Sequence, residues 1–288
     1  MDRRLPLALL AAVTAISFGA IFFRLAAPTH PLVSAGTRMA ISSLLLSPFL
    51  VRGVRAGTFG RAQLGPAALA GLCYGLHFGS WVASLGLTTV AASVTLVTAT
   101  PLLLAVHGWV TGRDAPSRGL GAALALALVG VLTIGGTDLG ASGAALLGDG
   151  LALVGCGAMA AYLLLVRRMG TALDVLAWSA VATGVAAVAL LGSATALGIT
   201  PWPPTPAAAG WLALAAVVPQ LIGHTSLTWA LRLGTPTTVA MATVAEPVGA
   251  TLLGWWILSE LPSAQVAVGC AITLVAVGLA LRSQGPRE

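Results

Sequence analysis

The chain has 288 residues, of which 58% are hydrophobic and only 8% charged, with a mean hydropathy of +0.97. So little polar surface cannot cover a water-soluble core of this size, and the connections between apolar stretches are too short for a soluble domain. A formal charge of +6 and a pI of about 10.6 raise nucleic acid as a partner, but the 14 cations form no contiguous basic face with interleaved aromatics, which argues for no nucleic acid.

A helix needs about 20 mainly apolar residues to cross roughly 30 Å of hydrocarbon, and every backbone N–H and C=O must be paired inside the segment. Ten stretches meet that length: residues 5–26, 31–51, 65–87, 90–111, 117–135, 144–166, 174–198, 209–231, 236–258 and 263–282. They predict an all-α membrane protein of ten transmembrane helices. All 14 cations are arginine. Arg3 and Arg4 precede the first span, and Arg52, Arg55 and Arg61 follow the second. Arg113 and Arg118 lie between the fourth and fifth. Arg167 and Arg168 follow the sixth, Arg232 the eighth, and Arg282 and Arg287 the tenth. These twelve share one side, so the positive-inside bias predicts that both termini are cytoplasmic. Arg24 and Arg38 sit within spans near the other side and read as snorkelling to that interface, with a substrate carboxylate as the alternative contact.

The first stretch has the outline of a signal peptide, but Phe22, Phe23 and Arg24 occupy the cleavage region, so it is expected to stay. Cys73, Cys156 and Cys270 fall in different helices without paired spacing, giving no disulfide or metal framework. No cofactor is expected. The chain has no lysine and therefore no Gly-x-x-x-x-Gly-Lys-[Ser/Thr] loop, so energy for any transport must come from gradients.

An internal repeat runs through the chain. Asp114-Ala115-Pro116-Ser117 returns as Glu260-Leu261-Pro262-Ser263 at an offset of 146, and the same ungapped offset pairs Pro101 with Pro247, Gly108 with Gly254 and Trp109 with Trp255. Five spans separate equivalent helices. Because five is odd, the halves, residues 1–142 and 143–288, enter the membrane in opposite senses as two inverted five-helix repeats, an arrangement used by transporters that alternate access to a central site.

Third-helix Tyr74, His77, Phe78 and Trp81 recur at i, i+3, i+4 and i+7 and share one face. The offset maps Tyr74 to Gln220 and Phe78 to His224, so the eighth helix carries a matching stripe of Gln220, His224 and Thr228. Polar groups facing lipid are costly, so both stripes should look inward, either lining a cavity or making interhelical hydrogen bonds. The fourth helix offers Thr95, Thr98 and Thr100 before Pro101, and the sixth Met159 and Tyr162. Glu246, immediately before Pro247, is an acid deep in an apolar span, a candidate for proton coupling or for a structural hydrogen bond; Pro101 and Pro247 are candidate hinges. Gly184, Gly269 and Gly278 are expected at close helix contacts.

These features together resemble the EamA-type members of the drug/metabolite transporter superfamily: two five-helix halves, Thr37-Arg38-Met39-Ala40 early in the second helix, a proline in the fourth and ninth helices, and the acid-x-Pro-Ser turn before the fifth and tenth. The second half is most similar, from Ala245-Glu246-Pro247 to Leu258-Ser259-Glu260. Ser17-Phe18-Gly19 and Arg113-Asp114 depart from the family pattern. The resemblance implies a cavity formed by helices one, three, four, six, eight and nine, which adds Phe18 and Phe22 as candidates. It implies a multi-pass protein of the bacterial cytoplasmic (inner) membrane, in contact with lipid, a monomer or weak oligomer. The cavity chemistry points to export of small neutral metabolites, above all aromatic and other neutral amino acids, with proton-coupled multidrug export as the alternative. An enzyme is not expected. Gly148-Asp149-Gly150 lacks the Gly-x-Gly-Asp of an intramembrane aspartyl protease, since position 146 is leucine.

Overall fold

The computed structural model describes residues 4–135, 143–170 and 173–282; Arg3, Arg287 and the junction of the halves at 142 lie outside them. The described residues form helices and short turns, with no strand among them. In chain order the helices are α1 (Arg4–Ile16), α2 (Gly19–Leu25), α3 (Pro31–Arg55), α4 (Arg61–Ser84), α5 (Val90–Val97), α6 (Thr100–Thr111), α7 (Arg118–Gly135), α8 (Gly143–Arg168) and α9 (Val175–Ala196). Then come α10 (Pro206–Ala215), a π-helical segment (Ala216–His224), α11 (Thr225–Ala230), α12 (Pro236–Thr243), α13 (Glu246–Leu258) and α14 (Ala264–Arg282).

Seven of the resulting rods are long and apolar enough to cross a membrane: Leu5–Leu25, Pro31–Arg55, Val90–Thr111, Gly143–Arg168, Val175–Ala196, Pro206–Ala230 and Pro236–Leu258. The apolar runs of α7 and α14 are shorter, Arg118–Ile134 and Ala264–Ala280. Helix α4 has 24 residues but is less apolar, because its buried face carries Tyr74, His77, Ser80 and Ser84. That polarity is affordable only because the face is turned inward, away from lipid.

Local chemistry sets the rod ends. Thr89 and Thr235 are related by the repeat offset, and each accepts a hydrogen bond from a backbone N–H three residues on, Ala92 at 3.1 Å and Thr238 at 3.3 Å. Pro31, Pro206 and Pro236 occupy first turns, where no intrahelical N–H is needed.

Several rods are interrupted in mid-span. Val90–Thr111 breaks at Thr98–Ala99 and Pro236–Leu258 at Val244–Ala245, positions that share the offset of 146, and in each Pro101 or Pro247 lies in the first turn of the second half-helix. Thr98 Oγ1 donates to the Val94 carbonyl at 2.8 Å, sharing that acceptor with its own backbone N–H at 3.1 Å. The first stretch was expected to be one helix, but it breaks at Ser17–Phe18, where Ser17 Oγ donates to the Val13 carbonyl at 2.8 Å. Pro206–Ala230 bulges into π-helix around Pro219, which cannot donate to the helical ladder.

Lateral packing is densest where α3 lies along α9, α4 along α8 and α9, and α7 along α14. Small residues allow this. A Cβ on Gly71 would sit 2.7 Å from the Ala182 carbonyl oxygen and 2.7 Å from Val185 Cβ, and one on Gly269 would meet Ile134 and the Gly130 carbonyl. Gly184 abuts Ser43, but Gly278 faces open space and is not a packing glycine. Gly71→Val is therefore expected to cost about 1–3 kcal/mol through overpacking, seen as a lower melting temperature in detergent, whereas Gly278→Ala should leave it unchanged.

Candidate functional site

A cavity of about 40 Å³ sits among α4, α5, α6, α8, α11, α12 and α13. Its walls include Tyr74, His77, Trp81, Thr98, Thr100, Met159, Tyr162, His224, Thr228, Thr243 and Glu246, with Val97, Leu163, Leu227, Val239 and Ala240 as apolar filling. One water needs about 10–15 Å³ on this measure, so the space holds a few waters at most. A solute of amino-acid size therefore needs the walls to part.

Rings make most of the lining. Tyr74 stacks on Tyr162 at 4.3 Å between centroids with planes 17° apart, and meets Phe78 edge-on at 5.0 Å. His77 stacks with Trp81 at 6.2 Å, and His224 stands edge-on to Tyr74 and Phe78 at 5.9 and 5.1 Å. His77 Nδ1 donates to the Gly155 carbonyl at 2.8 Å, which fixes the orientation of the ring. Tyr162 and Thr228 hydroxyls share a hydrogen bond at 3.1 Å. Trp81 Nε1 is buried without an acceptor among the described residues.

Behind this wall lies a charge that the sequence misplaced. Arg38, expected to snorkel outward, is 0% exposed. Its guanidinium lies over the Phe78 ring at 4.2 Å and the Phe23 ring at 5.5 Å, and Nη2 donates to Gln220 Oε1 at 2.8 Å. Gln220 Nε2 in turn donates to the Tyr74 hydroxyl at 3.2 Å, so the cation is linked through two hydrogen bonds to a cavity ring. Two further guanidinium nitrogens, Nε and Nη1, lack acceptors among the described residues. Position along α3 gave no hint of this: Phe23 of α2, Phe78 of α4 and Gln220 of the π-helical segment cover a residue that looks near-terminal in one dimension.

Glu246 opens α13 and lines the cavity at 7% exposure. Its carboxyl group makes no hydrogen bond or ion-pair contact among the described residues, although it acts electrostatically on Arg38. Of the other candidates, Tyr74, His77, Trp81, Thr98, Tyr162 and His224 meet at the cavity, while Phe78 and Gln220 form the layer directly behind it. Phe18 does not join them. The break at Ser17–Phe18 turns it onto Phe22, which stacks on Trp211 at 6.0 Å. Thr243, Val239 and Ala240 were not singled out, since small apolar or singly hydroxylated residues carry no signal that distinguishes cavity from packing. Among the described residues no cluster of His, Cys, Asp or Glu could hold a metal ion.

An all-helical bundle with seven membrane-length rods around a polar, aromatic cavity is the architecture of a multi-pass membrane protein that handles a solute inside the bilayer. The sequence model of the EamA-like transporter family matches residues 146–282, so the second half of the chain carries an EamA domain. A solved crystal structure of a protein 16% identical to this chain superposes with a TM-score of 0.77, covering 99% of this chain and 100% of the other, a likeness of fold. Among curated proteins none matches the chain.

Proposed function

We propose that the protein moves aromatic and other neutral amino acids out of the cell by alternating access, with the cavity as the substrate site. The lining carries the reading. Flat rings from Tyr74, Tyr162, Trp81 and His77 suit an apolar or aromatic side chain, and the one carboxylate facing the cavity, Glu246, suits an ammonium group. Arg38, one layer behind, balances that carboxylate, so the site as a whole suits a zwitterion better than a net ion.

The architecture proposed is ten crossings in two inverted halves, residues 1–142 and 143–288, with both termini cytoplasmic in a bacterial inner membrane. Residues related by the offset of 146 that touch each other support it. Gln220 bonds Tyr74 at 3.2 Å, and His224 meets Phe78 at 5.1 Å between centroids. Under a two-fold operation, equivalent residues touch only near the axis, and an axis in the membrane plane beside the cavity is the arrangement expected of inverted repeats. The breaks at Thr98–Ala99 and Val244–Ala245, each beside a proline, are the hinges in this scheme.

The test is counterflow of labelled phenylalanine, alanine and a neutral drug in proteoliposomes, with and without a pH gradient, for the native chain, Trp81→Ala and His77→Ala. Amino-acid counterflow that falls about 10-fold or more in the variants is expected, as removing a stacked wall and a hydrogen-bonded ring takes away roughly 1–3 kcal/mol of contact. Drug movement tied to proton flux, with amino acids inert, would instead mark a multidrug exporter. Glu246, a cavity carboxylate free of hydrogen bonds among the described residues, is the observation that favours that second reading.

A further inference from the structure

The bundle has an ion pair at each end of its fourth and ninth rods. Asp114 follows α6 and Thr88 precedes α5, so these residues are separated by a rod of 22 residues, about 33 Å at ~1.5 Å per residue. Arg167, at the end of α8, grips Asp114 with two bonds, Nε to Oδ2 at 3.1 Å and Nη2 to Oδ1 at 3.0 Å, and its Nη1 reaches the Gly234 carbonyl at 3.5 Å. Arg24, at the end of α2, approaches Glu260 at 3.7 Å and donates to the Thr88 carbonyl at 3.2 Å.

The two clusters correspond in acid and carbonyl, while their arginines lie three positions apart in the repeat register. Glu260 is Asp114 displaced by 146, and Gly234 is Thr88 displaced by 146. Each arginine ends the first rod of its half, each binds the acid of the other half's acid-x-Pro-Ser turn, and each takes a carbonyl from the turn before the fourth rod of its own half. Neither turn is needed to line the central cavity. Instead each cluster borders its own vestibule, of about 580 Å³ beside Arg24, Thr88 and Glu260 and about 350 Å³ beside Asp114 and Arg167. The grips are unequal: the Arg167 pair is bidentate, the Arg24 pair single and longer.

We infer that these are two latches, one on each membrane face, which clasp the first rod of one half to the acid turn of the other; both are closed here, and they open alternately as access to the cavity changes sides. The inference rests on the transport reading for its purpose but not for its geometry. Each pair is about one-third or more exposed, so it is weak enough to open and reform without a large energy source. The bidentate latch marks the Arg167 face as the more firmly closed, and the longer Arg24 pair marks the other face as the looser one.

The experiment places a reporter cysteine at the cavity, Ala240→Cys, in a chain whose Cys73, Cys156 and Cys270 are replaced by serine or alanine. A membrane-impermeant thiol reagent is applied to membrane vesicles of the two orientations. Asp114→Asn is expected to raise labelling from one face relative to the other by about 2- to 5-fold, the range a partly exposed ion pair supports. Glu260→Gln is expected to shift the ratio by a similar factor in the opposite direction. The double exchange Asp114→Arg with Arg167→Asp should bring the ratio back towards that of the parent, which separates a latch from a folding defect. Ratios that do not move, or that move the same way in both single variants, would overturn the inference. A chain that moves no amino acid yet shows opposed labelling shifts would leave the latches in place and remove only the substrate assignment.

Discussion

Arg38→Met is expected to leave the melting temperature in detergent unchanged or higher while lowering phenylalanine counterflow by at least about 10-fold, or ~1.4 kcal/mol. The two effects should separate because a fully buried guanidinium whose Nε and Nη1 lack acceptors among the described residues is an electrostatic burden that its packing only partly offsets. Methionine keeps most of the side-chain volume and still packs on Phe78 and Phe23. What it removes is the donor that orients Gln220, and through it the Tyr74 hydroxyl, together with the positive charge that balances Glu246. The same variant should therefore favour a cationic analogue, phenylalaninamide, over the zwitterion. Thermal melts beside counterflow of both solutes check this. A large loss of stability with transport intact would make Arg38 a structural residue.

The position of Arg38 also marks where sequence reading reaches its limit. Third-helix spacing put Tyr74, His77, Phe78 and Trp81 on one face, and they lie together because α4 is regular through that stretch. The repeat offset then singled out Gln220 and His224, and these two side chains meet their offset partners across the bundle. Both inferences needed only periodicity. Phe18 failed for the opposite reason: a helix broken at Ser17–Phe18 no longer carries its face forward, and no proline announces that break. The π-helical segment is equally silent in one dimension, although Pro219 lies within it. Arg38 was misread because distance along a helix predicts depth only for a rod that stands alone, whereas the Ser42 hydroxyl one turn on from it already reaches the Ala216 carbonyl of the π-helical segment at 3.5 Å. The latch residues were visible as charges at span ends, but their pairing required the fold.

Glu246→Gln is expected to lower phenylalanine counterflow by about 10- to 100-fold while leaving the melting temperature close to that of the parent. The substitution preserves shape, and no hydrogen bond or ion-pair contact to the carboxylate exists among the described residues to be lost on folding. A charge-assisted hydrogen bond to a substrate ammonium in a desolvated cavity is worth about 1.5–3 kcal/mol, which sets the size of the loss. N-acetylphenylalaninamide, which keeps the ring but has no ammonium, provides the control. Its movement, if the native chain carries it at all, should be unchanged or improved in the variant, because a neutral amide is cheaper to desolvate than a carboxylate. Equal losses for both solutes would mean that Glu246 acts on the conformational cycle rather than on the ammonium, a role its place at the start of α13, directly after the break at Val244–Ala245, would readily explain. Loss of proton movement driven by a cationic drug, with phenylalanine inert throughout, would transfer Glu246 to the shared drug and proton site of a multidrug exporter.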